Sequence, residues 1–328
     1  MRYLGLPLTS KKWSKVECHQ LVEKITTNIQ AGYAKLLSYA GRSQVINAVL
    51  FAIYNFWGAV FILPQSVIRA IDRKCREYLW GTTEGHRKMA LVPWEILCRP
   101  KKYEGMNIKG CKHWNIASVG KLLWQLVTNK KVLWVRWVHG VYMKSCKSIW
   151  EHNPPSDCSW YWKKINSLKH NMAQWYNGRT YRLTSNGDYS VSSSYNVMLG
   201  QMSRCREMDL IWSRVMLPRH RFVMWLAYQQ KMQTKSRLIQ LNIPITGDAE
   251  CCLCELGVKE TQQHLFGDCC WVKNMRNALT KWAAISLPNM AIPEMIQWIN
   301  RRHWKQLRKE VATTIIGEIV YHTWQARN

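Results

Sequence analysis

The segment "CCLCELGVKETQQHLFGDCC", residues 251–270, places five of the chain's twelve cysteines and one histidine close together. No other stretch constrains the fold as much, because donors so close in sequence serve either a metal ion or a block of buried thiols. Tetrahedral zinc asks for four sulfur or nitrogen ligands from a chain that doubles back on itself. Cys251-x-x-Cys254 supplies a knuckle that curls round an ion, and His264-x-x-x-x-Cys269 supplies the pair that closes it. A lone CxxC says little, but followed at close range by HxxxxC it reads as one zinc site. Four protein ligands leave no position for a reacting water, so the expected role is structural. Gly257 and Gly267 stand where tight turns would help. The register has an alternative: Cys252 and Cys270 adjoin the outer ligands, and Cys252, Cys254, His264 and Cys270 fit almost as well.

The other seven cysteines are scattered singly and read as small buried hydrophobes in a reducing compartment. The opening "MRYLGLPLTSKKW" has no apolar stretch long enough for a secretory leader. One run resembles a membrane span: "VINAVLFAIYNFWGAVFIL", residues 45–63, carries no charge. It contains Asn47, Asn55 and Gly58 and continues into amphipathic patterns, so a buried core helix is expected and no membrane partner.

Lys and Arg outnumber Asp and Glu 47 to 20, giving a formal charge of +27. That excess points to a polyanion. It peaks in residues 101–150, where ten basic side chains face one acidic, interleaved with Trp114, Trp124, Trp134, Trp137 and Trp150. Tryptophan at such density implies cores, interfaces or base-stacking platforms. The candidate contacts to a nucleic-acid backbone are Lys101, Lys102, Lys109, Lys112, Lys121, Lys130, Lys131 and Arg136, with Arg219, Arg221, Lys231 and Lys235 near the cysteine cluster. The bland alternative for each is a solvated helix face with Trp packed beneath.

The periodicity predicts a mainly α chain. Residues 1–81 read as a helical bundle, with a capping pattern at Ser14–Glu17, then Leu21, Ile25 and Ile29 on one face. A long apolar helix runs from about Arg42 to about Ile62, stopped before Pro64. A third helix carries Val67, Ile71, Cys75 and Tyr78 and ends at Gly81. Residues 82–160 form a basic, Trp-rich connection, and 161–273 a small α+β zinc-binding domain. Its β-hairpin is expected around Asn186-Gly187 within residues 180–195. Residues 274–328 read as helices broken near Pro288 and Pro293.

Several stretches resemble plant LINE-type reverse transcriptases, whose C-terminal zinc-binding domain has a cysteine pair ahead of an E-T-x-x-H-L-F-x-x-C run. Here that run is Glu260, Thr261, His264, Leu265, Phe266 and Cys269. "IWSRVMLPRHRFVMWLAYQQKMQTKSRL" and the terminal "VYHTWQARN" are similar to the same family. "YLGLPL" with "KLLSYAGRSQVINAVLFAIYNFW" is similar to its thumb, and "GKLLWQLVTNKKVLWVRWV" to its connecting region. The resemblance covers nearly the whole chain. It implies a structural zinc, RNA or DNA as partner, the rest of a reverse transcriptase as a further partner, and a nuclear address, the cytoplasm being the alternative that the residues leave open. The family's polymerase site needs an aromatic-Ala-Asp-Asp turn to hold two metal ions, and this chain has no Asp-Asp pair. The expectation is therefore a non-catalytic C-terminal part that begins just ahead of the thumb. The rival readings are an inert truncated product and a zinc-dependent protein-interaction module.

Overall fold

The computed structural model describes residues 2–3, 6–7, 16, 18–30, 37–83, 86–87, 89–128, 131–144, 148–177 and 180–328. The fold is mainly helical, with three two-residue hairpins among the described residues. Contacts divide the chain into two compact units. One comprises residues 1–36, 42–87 and 108–202, the other 37–41, 88–107 and 203–328.

In the first unit, the uncharged run forms a helix with one buried face. Tyr39–Val45 passes through a π turn, Ile46–Leu50, into Phe51–Gly58. Ile46, Leu50, Tyr54 and Trp57 recur every three or four residues and are buried, while Val49, Phe56 and Val60 face solvent. No helix among the described residues is long and apolar enough to cross a membrane. The helix stops at Gly58 rather than near Ile62, and a buried side chain explains why. Asn115, 1% exposed, donates to the carbonyls of Gly58 (2.7 Å) and Phe61 (2.6 Å) and accepts from the Leu63 N–H (2.8 Å). It satisfies the carbonyls that a helix end leaves orphaned, and the chain turns out ahead of Pro64. Asn115→Leu is expected to destabilise by about 3–5 kcal/mol, since each orphaned buried group costs about 1–3 kcal/mol. Urea unfolding checks this, and a loss under about 1 kcal/mol would mean that water replaces the amide.

The helix Gln65–Trp80 buries Val67, Ile71, Cys75 and Tyr78 as the spacing predicts, and Gly81 ends it at φ 86°. His19–Gln30 buries Leu21 and Ile25; Ser14 and Glu17, the proposed capping pair ahead of it, lie outside the described residues. The tryptophans of the basic segment are largely packing residues. Helices Cys111–Thr128, Leu133–Val141 and Trp160–Met172 enclose a core including Leu123, Val135, Trp162 and Met172, with Trp124, Trp134 and Trp150 packed against it. Trp137 stays exposed. Gly120 sits where a Cβ would fall 2.3 Å from Met172 Cε and 2.5 Å from the Tyr189 hydroxyl, so any side chain there would have to displace those two groups.

The expected hairpin is displaced. Tyr176–Asn177 pairs with Thr180–Tyr181, and Asn186-Gly187 makes a tight turn beyond it, with Gly187 at φ 74°. The Tyr181 N–H still reaches the Gly187 carbonyl (2.9 Å), but no strand returns from the turn. Ser190 instead caps the helix Val191–Met198, its hydroxyl accepting from the Ser193 N–H (3.1 Å). A good N-cap has overridden the second arm.

In the second unit, the helices Pro218–Tyr228, Ile292–Arg301 and Gln306–Arg327 surround a core containing Phe222, Trp225, Ile296 and Ile316. Pro293 begins a helix rather than breaking one, because the first turn has no use for its missing N–H.

Candidate metal centre

Residues 249–260 fold back on themselves. The Cys251 N–H donates to the Val258 carbonyl and the Glu260 N–H to the Ala249 carbonyl, both at 2.8 Å. Inside the loop that these bonds close lies the CxxC knuckle, and Gly257, at φ 64°, turns the chain for the return. Thr261 then starts the next helical turn: its hydroxyl accepts from the His264 N–H at 3.0 Å. Leu265 and Phe266, both buried, anchor that turn in the core.

His264 and Cys269 are five residues apart, which an α-helix would put on different faces. A π turn over His264–Asp268 resolves this, with the Cys269 N–H bonded to the His264 carbonyl at 2.8 Å. Cys269 also sits at the start of the helix Cys270–Ala283, where the backbone N–H groups of Trp271 and Val272 point to its sulfur.

The result brings one donor atom each from Cys251, Cys254, His264 and Cys269 within 4.8 Å of one another. Cys251 Sγ lies 4.0 Å from Cys269 Sγ, and Cys254 Sγ lies 3.3 Å from His264 Nε2. A zinc ion with bonds of about 2.3 Å to sulfur and 2.0 Å to nitrogen has tetrahedral edges of about 3.5–3.8 Å, so the donor set fits that ion. Cys252 and Cys270 are exposed, and Cys252 Sγ is directed to the Arg327 carbonyl (3.7 Å). Burial pushes the Cys251 thiol up to about 12, with the Leu253 N–H pulling the other way, and burial likewise raises Cys269. A dication among these thiols reverses that preference and expels their protons.

Beside the quartet, Glu260 is fully buried and plays a part that spacing did not reveal. Its carboxylate accepts from Arg327 Nη2 (2.8 Å), from Arg327 Nε (3.1 Å) and from the Lys235 N–H (2.8 Å). The last turn of the helix Gln306–Arg327 is thus fastened to the metal loop.

The candidate cations divide between the units. Lys101, Lys102, Arg219 and Arg221 lie in the second unit; Lys109, Lys112, Lys121, Lys131 and Arg136 lie in the first, and Lys130 falls outside the described residues. Lys112, Lys121, Lys131 and Arg136 are exposed on helical or turn surface, which is equally the position of ordinary solvated charges. Lys109 is drawn over Trp114 and Tyr195, at 5.5 and 5.1 Å from their centroids. Arg219 lies over Tyr321 and donates to His220 Nε2 at 3.1 Å. Lys235 is occupied by the Glu250 carbonyl at 2.8 Å. Lys101 and Arg221, remote in sequence, come together. Lys101 Nζ sits 4.4 Å over Trp212. Burial and then the Arg221 charge lower its pKa, while burial and then Arg214 lower that of Arg221. Trp212 and Arg214 were not among the residues singled out from sequence, because nothing in their spacing links them to Lys101.

Residues 189–275, which include the whole quartet, match the family model described as zinc-binding in reverse transcriptase. Through that segment the chain is similar to the zinc-binding part of reverse transcriptases. Among curated proteins, a putative ribonuclease H protein of Arabidopsis thaliana is 32% identical over 129 residues, 39% of this chain. The match spans 21% of that protein's length.

Proposed function

We propose that the chain is a non-catalytic, nucleic-acid-binding segment of a LINE-type retroelement reverse transcriptase, folded in part around one zinc ion held by Cys251, Cys254, His264 and Cys269. One observation carries the binding role: Lys101 Nζ lies 4.4 Å over Trp212, close enough to Arg221 that, after burial, the guanidinium charge lowers the Lys101 pKa. Like charges crowded beside an aromatic face are relieved by a phosphodiester backbone. The ribonuclease H activity in the relative's name is not carried over. Such chemistry needs clustered carboxylates, and the quartet is the only gathered group of metal-donor side chains among the described residues.

The test is binding of a 20-nucleotide RNA by the zinc-loaded chain at two salt concentrations. Lys101→Gln with Arg221→Gln is expected to weaken binding about tenfold and to flatten the log–log salt slope by about 1.4, at roughly 0.7 per phosphate contact on a single strand. Primer extension and RNA cleavage with Mg²⁺ are expected to give no product. A chain that ignores RNA at low salt would sink the binding role, and an extended primer would sink the non-catalytic one.

A further inference from the structure

Beyond the segment matched by the zinc-binding family lies "RRHWKQLRK", residues 301–309, with five Lys or Arg, one His and no acid. It joins the helix Ile292–Arg301 to the helix Gln306–Arg327. Trp298 and Trp304 meet edge to face, centroids 5.7 Å apart and planes at 86°. Each ring carries a guanidinium: Arg302 lies 4.0 Å from the Trp298 centroid, and Arg308 5.0 Å from that of Trp304. The contacts thus run from Arg302 to Trp298, from Trp298 to Trp304, and from Trp304 to Arg308. Trp298 and Arg302 also line an open cleft of about 400 Å³, with Met290, Glu294, Gln297 and Arg301.

Three features make this more than a solvated turn. Arg302, Lys305 and Arg308 are exposed, and none of them forms an ion pair among the described residues. Lys309, by contrast, is used internally, donating to the Asn300 carbonyl at 2.7 Å. The two guanidiniums lie over indoles that are themselves half-exposed, so cations and rings are presented together. A cation over an exposed ring is attracted only weakly, too little to make crowding these charges favourable by itself. A partner with planar faces and regularly spaced negative charge satisfies both halves of the pattern. Unpaired bases stack on aromatic rings and on Arg planes while their phosphates meet the cations. A duplex hides its base faces, and an acidic peptide has none.

We infer that Trp298, Arg302, Trp304 and Arg308 form a second contact for single-stranded nucleic acid, separate from the Lys101–Arg221 cluster; it rests on the nucleic-acid reading above. The test uses the full zinc-loaded chain with Arg302→Gln and Arg308→Gln together, exposed changes whose folding is checked by circular dichroism and zinc content. The probes are a 20-nucleotide oligo(dT), a duplex of equal length and poly-glutamate.

The expected result is single-strand affinity weakened about tenfold, with the salt slope flatter by about 1.4 for two phosphate contacts. Duplex affinity should be unchanged, and the parent's tryptophan quenching by oligo(dT) should be much reduced. Unchanged single-strand affinity and slope would overturn the inference, as would an equal loss on duplex or full competition by poly-glutamate. If only the Lys101 and Arg221 variant weakens binding, this second contact falls and the proposed function stands. If the parent binds no nucleic acid, both fall.

Discussion

Glu260→Gln is expected to lower the free energy of unfolding by about 3–5 kcal/mol, the usual cost of removing one partner from a buried ion pair. The carboxylate has no access to water and serves two donors at once, the Arg327 guanidinium and the Lys235 backbone N–H. Glutamine keeps the volume but replaces one acceptor oxygen with a donor and leaves the guanidinium, itself only 16% exposed, without its counter-charge. Arg327→Met should cost a similar amount, and the double variant markedly less than the sum, since neither change then strands a charge. Urea unfolding of all four proteins gives the coupling directly. If the two single losses simply add, the pair is not acting as one unit.

Removal of metal is expected to have a larger effect still. Structural zinc contributes about 10–16 kcal/mol of apparent binding free energy near neutral pH in small zinc modules, more than the net stability of most domains. Cys254→Ser or His264→Ala should abolish the bound zinc, and Cys252→Ser or Cys270→Ser should leave one ion per chain. Hydrogen exchange should quicken at the Cys251, Glu260 and Cys269 amides, whose bonds close the loop. Zinc retained after Cys254→Ser but lost after Cys252→Ser would reassign the ligands.

Where the sequence was informative, short-range physics explains why. Helices at Gln65–Trp80 and His19–Gln30 follow from apolar spacing, and the grouping of Cys251, Cys254, His264 and Cys269 from ligand spacing within one short loop. The misreadings arise where a distant or competing group decides. Asn115 ends the apolar helix from 57 residues away, and nothing near Gly58 announces it. Ser190 claims the backbone that Asn186-Gly187 would have sent into a strand. Glu260 stood in plain view as part of a motif, yet its partner Arg327 lies 67 positions on. The same limit kept Trp212 and Arg214 apart from Lys101.

The tie between Glu260 and Arg327 also sets an order of events during synthesis. All four zinc donors leave the ribosome within a span of nineteen residues, so the ion has its full ligand set early. The carboxylate beside it must wait for 67 more residues before its guanidinium exists. At roughly 5–20 residues per second that is an interval of about 3–13 s. Over that interval the carboxylate lacks the guanidinium it pairs with in the folded chain, and only the last turn of the helix Gln306–Arg327 supplies it.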